Sequence, residues 1–304
     1  LGRIVAFIAH LESWRRLTPA GGGWTGADRS TLRDLLRSGG WMTVSNVISP
    51  LMGYLDRFVI GLTISVAAVA YYVTPYEIIT KLWIIPGALT AVLFPRFARA
   101  PVEGAADAAA LFRRSVLLLF VMLYPVTLGI ALFSDALLSL WIGAEFAGQS
   151  HHMLQVFALG ILVNCLAHVP FTFLQAVGRA KTVASIHLIE FPFFVLLLWV
   201  AAQTMGLLGV VFAWLLRMII DTTLMFYFAA AEMKYGISDL KIGKLSVLLL
   251  LTVGSYAGLY IPSAGGRVLI WALAVLLGYL FCWNLLLRRE DRLAVLKRAS
   301  YAAG

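Results

Sequence analysis

Eight ionisable side chains lie inside stretches that are otherwise almost wholly apolar. Asp56 and Arg57 are adjacent, Glu77 and Lys81 are four residues apart, as are Arg217 and Asp221, and His187 and Glu190 are three apart. Residues three or four apart share a helix face, so the last three pairs can neutralise themselves. A charge at the centre of a bilayer costs about 2.5–3.5 kcal/mol on the insertion scale, which makes each of these residues a functional candidate. Two readings are open: staples between helices, or the polar lining of a water-filled cavity. Depth favours the cavity. Glu77 stands 11 residues beyond Val66 and Arg217 stands 11 beyond Gly206, the starts of their apolar runs. At about 1.5 Å per residue both lie about 16 Å below the outer surface, with Lys81 and Asp221 one turn deeper. A shared midplane belt is where transport proteins hold substrate and coupling ion. Asp56 and Arg57 lie nearer the outer end, where they can snorkel to the interface.

Little else carries chemistry. No metal-ligand spacing, glycine-rich phosphate loop or Ser/His/Asp order is present, and Gly39-Gly40 is too short for a nucleotide loop. His151-His152 reads as a solvated loop end. Cys165 and Cys282 sit in apolar runs and read as packing thiols. Aromatics such as Trp41, Trp83, Trp141, Trp199 and Trp271 read as interface belts and packing, with a minority able to stack on a sugar ring.

The elements that position these residues follow from composition. Of 304 residues, 61% are hydrophobic and 13% charged, against about 45–50% and about 25% in soluble proteins. One soluble domain cannot bury that much apolar surface. Runs long enough to cross a hydrocarbon core of about 30 Å fall at roughly 38–62, 66–94, 115–133, 153–177, 182–203, 206–231, 245–262 and 267–287. The expectation is an all-α, polytopic membrane bundle of about eight transmembrane helices. Ten-residue alternating segments, the mark of a β-barrel, are absent. Residues 38–231 read as a six-helix lobe and 232–304 as two appended helices with a basic tail. Residues 1–37 read as the tail of a preceding helix, a Gly-rich linker at 19–26 and a surface helix at 30–37; starting at Leu1, the chain reads as a fragment lacking its N-terminus. A short interfacial helix is expected at 136–142. Prolines at 50, 75, 86, 125, 170 and 192 should bend the first five spans.

The net charge is +9. It is no nucleic-acid footprint, because 19 of the 24 Lys and Arg fall in alternate connections between spans. Strict alternation places both ends of the chain in the cytoplasm. Arg57, Lys81 and Arg217 escape the pattern.

One block is distinctive. The GGW entry at 39–41, YLDRFVIG at 54–61, AAVAYY at 67–72 and the IPGAL…LFPRF end at 85–97 resemble the oligosaccharide flippases, or polysaccharide transporters. Their superfamily also holds multidrug extruders and lipid II flippases. The FLQAVGRAK run at 173–181 resembles the family's short cytoplasmic turn. The resemblance implies the second lobe of a transporter that moves lipid-linked oligosaccharide, carried on undecaprenyl pyrophosphate, across the bacterial inner membrane by alternating access. It implies Arg57, Lys81 and Arg217 as cavity cations for the pyrophosphate. Asp56, Glu77, His187, Glu190 and Asp221 are then ion-coupling or structural-pair candidates, coupling being to H⁺ or Na⁺ with no other cofactor. Implied partners are the lipid bilayer, the missing N-terminal lobe, and the polysaccharide polymerase and chain-length machinery. Two rivals stand: an ion-coupled extruder of amphipathic cations, and an integral membrane polysaccharide-assembly enzyme or scaffold. Three interior bases against four acids do not separate flippase from extruder. The longest outer connection, 134–152, holds only Asp135 and Glu145 as acids, which speaks against an enzyme.

Overall fold

The computed structural model describes residues 2–17, 29–100, 104–233 and 250–283. All elements among them are helical. The chain divides into two units, 1–40 and 41–304. The first holds α1 (Gly2–Leu17) and the opening turns of α2 (Arg29–Thr63). Residues 30–37 are therefore the start of a longer helix. The Gly-rich linker at 19–26 and the basic tail beyond 287 lie outside the described residues.

The second unit continues with α3 (Val66–Thr80), a 3₁₀ turn (Lys81–Trp83) and α4 (Ile84–Ala98). Then follow α5 (Ala105–Leu132), the short α6 (Ser134–Trp141) and α7 (Ala144–Ala176). The last elements are α8 (Ala180–Glu232), a 3₁₀ turn (Tyr256–Tyr260) and α9 (Ala264–Phe281). α6 is the short helix expected at 136–142, starting two residues earlier, with Leu140 and Trp141 exposed. Among the described residues five helices are long and apolar enough to cross a membrane: Val66–Ala98, α5, α7, α8 and α9. The count of eight is not reached, for three reasons. Asn46, Asp56 and Arg57 interrupt the apolar run of α2. α8 counts once although it folds back. The run at 245–262 lies partly outside the described residues.

α8 has 53 residues, and a straight helix of that length would reach about 80 Å. Its ends nevertheless meet: Arg179 Nε lies 2.6 Å from Glu232 Oε2. The reversal occurs at Gly206, whose φ of 62° and ψ of −143° fall in a region open only to glycine. Gly209 completes it, since a Cβ there would strike the Ala201 carbonyl. The arms 180–205 and 207–232 are the fifth and sixth expected spans, turned within two residues of the expected place.

α7 is the hub, packing against α3, α4, α5, α6 and α8. At its centre Phe157 meets Tyr72, Tyr76 and Trp214 edge-on, at ring distances of 5.1, 5.4 and 5.2 Å. Gly160 admits the Trp214 ring, which occupies the place a Cβ would take.

Two of the prolines join helices. A proline lacks the N–H that would bond the carbonyl four residues back. Pro75 thus frees the Tyr71 carbonyl, and Ser150 Oγ of α7 donates to it at 3.0 Å. Pro125 frees the Val121 carbonyl, and Tyr279 Oη of α9 donates to it at 2.9 Å. Trp271 and Arg267 of α9 add bonds to the Pro125 and Leu132 carbonyls at 2.8 and 3.2 Å. α9 is therefore tied to α5 by three side chains reaching backbone carbonyls, of which Val121 is freed by a proline and Leu132 by the helix end. Pro86 works within its own helix. Its carbonyl partner would be Leu82, inside the 3₁₀ turn that breaks α3 from α4.

Gly160→Ala should destabilise the protein by about 1–3 kcal/mol through overpacking against Trp214. Gly148→Ala, in an open stretch of the same helix, should be neutral or gain up to about 1 kcal/mol from helix propensity. Thermal unfolding in detergent checks both.

Candidate functional site

A cavity of about 510 Å³ opens between α2, the α3–α4 break, α7 and the two arms of α8. It gathers six of the eight expected residues: Arg57, Glu77, Lys81, His187, Arg217 and Asp221. Asp56 and Glu190 are not on its wall.

Asp56 and Arg57 part because consecutive helical residues point about 100° apart. Arg57 faces the cavity. Its guanidinium carbon lies 4.7 Å from the Tyr54 ring centroid and 5.6 Å from that of Tyr76, and Nη2 donates to Glu77 Oε1 at 2.8 Å. Asp56 points away and is wholly buried. It accepts from Tyr72 Oη at 2.5 Å and from the Arg57 amide at 2.7 Å. Neither residue snorkels, because each finds its partner within the bundle.

The expected pairs are partly re-sorted. Lys81 Nζ does reach Glu77, at 3.5 Å, but Arg57 is the nearer partner. Arg217 does not pair with Asp221, nor His187 with Glu190. The hairpin at Gly206 instead sets His187 of the first arm beside Asp221 of the second, Nε2 to Oδ1 3.3 Å. That is a charge contact rather than an aligned hydrogen bond. Ser45 of α2 shares a hydrogen bond with His187 Nδ1 at 3.0 Å. Arg217 is left with no ion pair among the described residues. It is buried, its guanidinium rests 5.1 Å from the Phe194 ring, and its Nε has no hydrogen-bond partner. Glu190 is buried too, and neither of its carboxylate oxygens has a partner among the described residues.

The 3₁₀ turn shapes one wall. In an α-helix Lys81 and Trp83 would point about 160° apart; a 3₁₀ step of about 120° brings them to about 120°. Thr80, Lys81 and Trp83 all line the cavity. Trp83 Nε1 donates to Asn164 Oδ1 of α7 at 2.9 Å. Asn164, His168, Ser49 and Tyr54 were not among the expected site residues. They are neutral, so a search for intramembrane charge passes over them. The signal for Asn164 and His168 was their four-residue spacing inside an apolar run.

The lining carries three permanent cations, Arg57, Lys81 and Arg217, against two carboxylates, Glu77 and Asp221. Glu77 is paired with Arg57 and Lys81, and Asp221 lies 3.3 Å from the His187 ring. The wall as a whole favours an anion with polar substituents, held in a water-accessible chamber.

Residues 24–151 match a family described as polysaccharide biosynthesis protein. A Shigella flexneri protein named as an O-antigen transporter is 37% identical over 195 residues, which are 64% of this chain and 46% of that protein. The chain is thus similar, over part of its length, to proteins named for polysaccharide biosynthesis and O-antigen transport. It is a multi-pass membrane protein, and its relatives are named for transport rather than for an enzymatic reaction. The chain spans about half the length of the curated relative it matches. A solved MOP superfamily transporter from Pyrococcus furiosus has the same fold, with a TM-score of 0.56 at 16% identity, over 82% of this chain and 62% of that one.

Two variants test the geometry. Tyr72→Phe removes a donor from a buried carboxylate and should cost about 1–3 kcal/mol. Lys81→Ala removes only an exposed pair member and should cost less than about 1 kcal/mol. Equal losses in thermal unfolding would contradict the assignment of Asp56 to structure and Lys81 to the cavity.

Proposed function

We propose that this chain forms the second lobe of a transporter that flips lipid-linked oligosaccharide, of the undecaprenyl-pyrophosphate type, across the bacterial inner membrane for polysaccharide or O-antigen export. The observation that carries this reading is the charge of the cavity. The interior residues alone do not decide, with three bases against four acids. Two of the acids, Asp56 and Glu190, lie off the wall, and of the two that remain Glu77 is paired with Arg57 and Lys81. Arg217 then stands as a buried cation without a counter-ion on a chamber wall, a costly arrangement that an incoming anion relieves. A pyrophosphate is a strong partner for a guanidinium, offering several acceptor oxygens to its forked donors. An extruder of amphipathic cations calls for the opposite excess.

The alternating Lys and Arg support an orientation with both chain ends cytoplasmic. The cavity would then sit near the midplane, opposite a first lobe, and open to each side in turn. The bilayer, that lobe, and the polymerase and chain-length machinery are the partners this function requires. His187 and Asp221 on the wall, with Glu190 buried off it, are our candidates for exchange of H⁺ or Na⁺ during the cycle.

The test is surface polysaccharide in a host lacking the gene, complemented with the complete protein. Arg217→Ala at normal protein levels should lower export at least about tenfold, as for loss of a charge-assisted bond, and Arg217→Lys should restore part of it. Wild-type export from Arg217→Ala would sink the anion-cavity reading. For coupling, an ionophore that collapses the proton or the sodium gradient should stop transport; undiminished flux with both collapsed would exclude it.

A further inference from the structure

The cavity has a second, uncharged corner, and we infer that it is a subsite for one pyranose ring of a sugar, built from Trp83, Asn164 and His168. This rests on the transport reading above and assigns a part of the cargo to a part of the wall.

Each of the three groups has its orientation set by one hydrogen bond. The indole N–H can only donate, so its 2.9 Å bond to Asn164 fixes the amide: Oδ1 towards Trp83, NH₂ away. Among the described residues that NH₂ group has no partner, and Asn164 lines the cavity. One turn on, His168 Nδ1 lies 3.1 Å from the Asn164 carbonyl. A carbonyl accepts, so Nδ1 carries the proton, and in the neutral ring Nε2 is an acceptor. His168 also lines the cavity. The indole is held from one side by Tyr76, edge-to-face at 6.3 Å and 85°, while 36% of Trp83 stays exposed.

The corner therefore offers an apolar aromatic face, a free donor and a free acceptor, side by side. A phosphate oxygen would suit the amide but meet the lone pair of His168. A metal cation would suit the imidazole but meet the amide hydrogens. A hydroxyl both donates and accepts and satisfies both. A ring that carries hydroxyls around its edge and C–H groups on its face matches all three at once, the C–H groups lying on the electron-rich indole. The 3₁₀ turn is what makes this possible, since it turns Trp83 towards the cavity that Lys81 also reaches. The cations of the same chamber, Arg57, Lys81 and Arg217, are left for the anionic end of the same cargo.

The experiment titrates the complete protein, purified in detergent, with two probes: the oligosaccharide repeat released from the host's own surface polysaccharide, and inorganic pyrophosphate. Trp83→Ala should weaken the oligosaccharide about tenfold and leave pyrophosphate within about twofold. Asn164→Asp, which turns the free donor into an acceptor, should do the same. Trp83→Phe keeps a ring and should fall between, so the case stands even if Trp83→Ala fails to fold. Arg217→Ala should show the reverse selectivity. The subsite is overturned if Trp83→Phe and Asn164→Asp bind oligosaccharide as wild type does, if both probes weaken alike, or if wild type binds pyrophosphate and no oligosaccharide. Trp83-dependent oligosaccharide binding without any pyrophosphate binding would keep the subsite and remove the anionic part of the function proposed above.

Discussion

Hydrocarbon supplies no hydrogen bonds, so every freed carbonyl and every charge within the bundle has to be answered by another part of the chain or by water in a cavity. That constraint organises this molecule. Pro75 and Pro125 each open a carbonyl, and the side chains that answer them, Ser150 and Tyr279, belong to other helices. The prolines that sequence reasoning assigns to bending are in these two cases points of attachment. Arg267 of α9 likewise reaches the Leu132 carbonyl at the end of α5, and Trp271 adds a bond to the Pro125 carbonyl.

The charges obey the same rule with two exceptions, Arg217 on the chamber wall and Glu190 off it. Asp56 is answered by Tyr72, Glu77 by Arg57 and Lys81, and Asp221 by His187. Arg217 is buried and faces the chamber without an ion pair. A bundle under selection for stability alone would gain by replacing such a cation with an apolar residue. Its place on a cavity wall gives the charge a use, and that is why the proposed function turns on it.

The chamber also has a direction. Arg217 stands on the α8 hairpin, which also brings Asp221 and His187 to the wall. Trp83, Asn164 and His168 make a neutral corner where the broken α3–α4 helix meets α7. A cargo with a phosphate at one end and a sugar at the other would be read by both at once. Specificity for a glycan then comes from unmet donors and acceptors, which reject a misfitted hydroxyl more strongly than an apolar pocket rejects a misfitted methyl group.

Much of this was legible in the residues in order. Apolar runs of about 20 residues, Lys and Arg confined to alternate connections, and the turn near 204–205 all follow from local composition, because the bilayer imposes length and sidedness span by span. The eight candidate residues were equally visible, since charge is conspicuous against an apolar background. Their partners were not. Spacing along one helix pairs Arg217 with Asp221 and His187 with Glu190, but side chains choose among neighbours from every helix at that depth, and the reversal at Gly206 puts His187 beside Asp221 first. Neutral groups such as Asn164 and His168 give no such contrast, and they acquire meaning only when the 3₁₀ turn brings Trp83 to them. The sequence by itself determined that this chain lives in a membrane and which of its residues are expensive to keep there. Only the tertiary structure decided which of those costs are met within the protein and which are left for a ligand, because that depends on distances between helices, a quantity no periodicity along one helix contains.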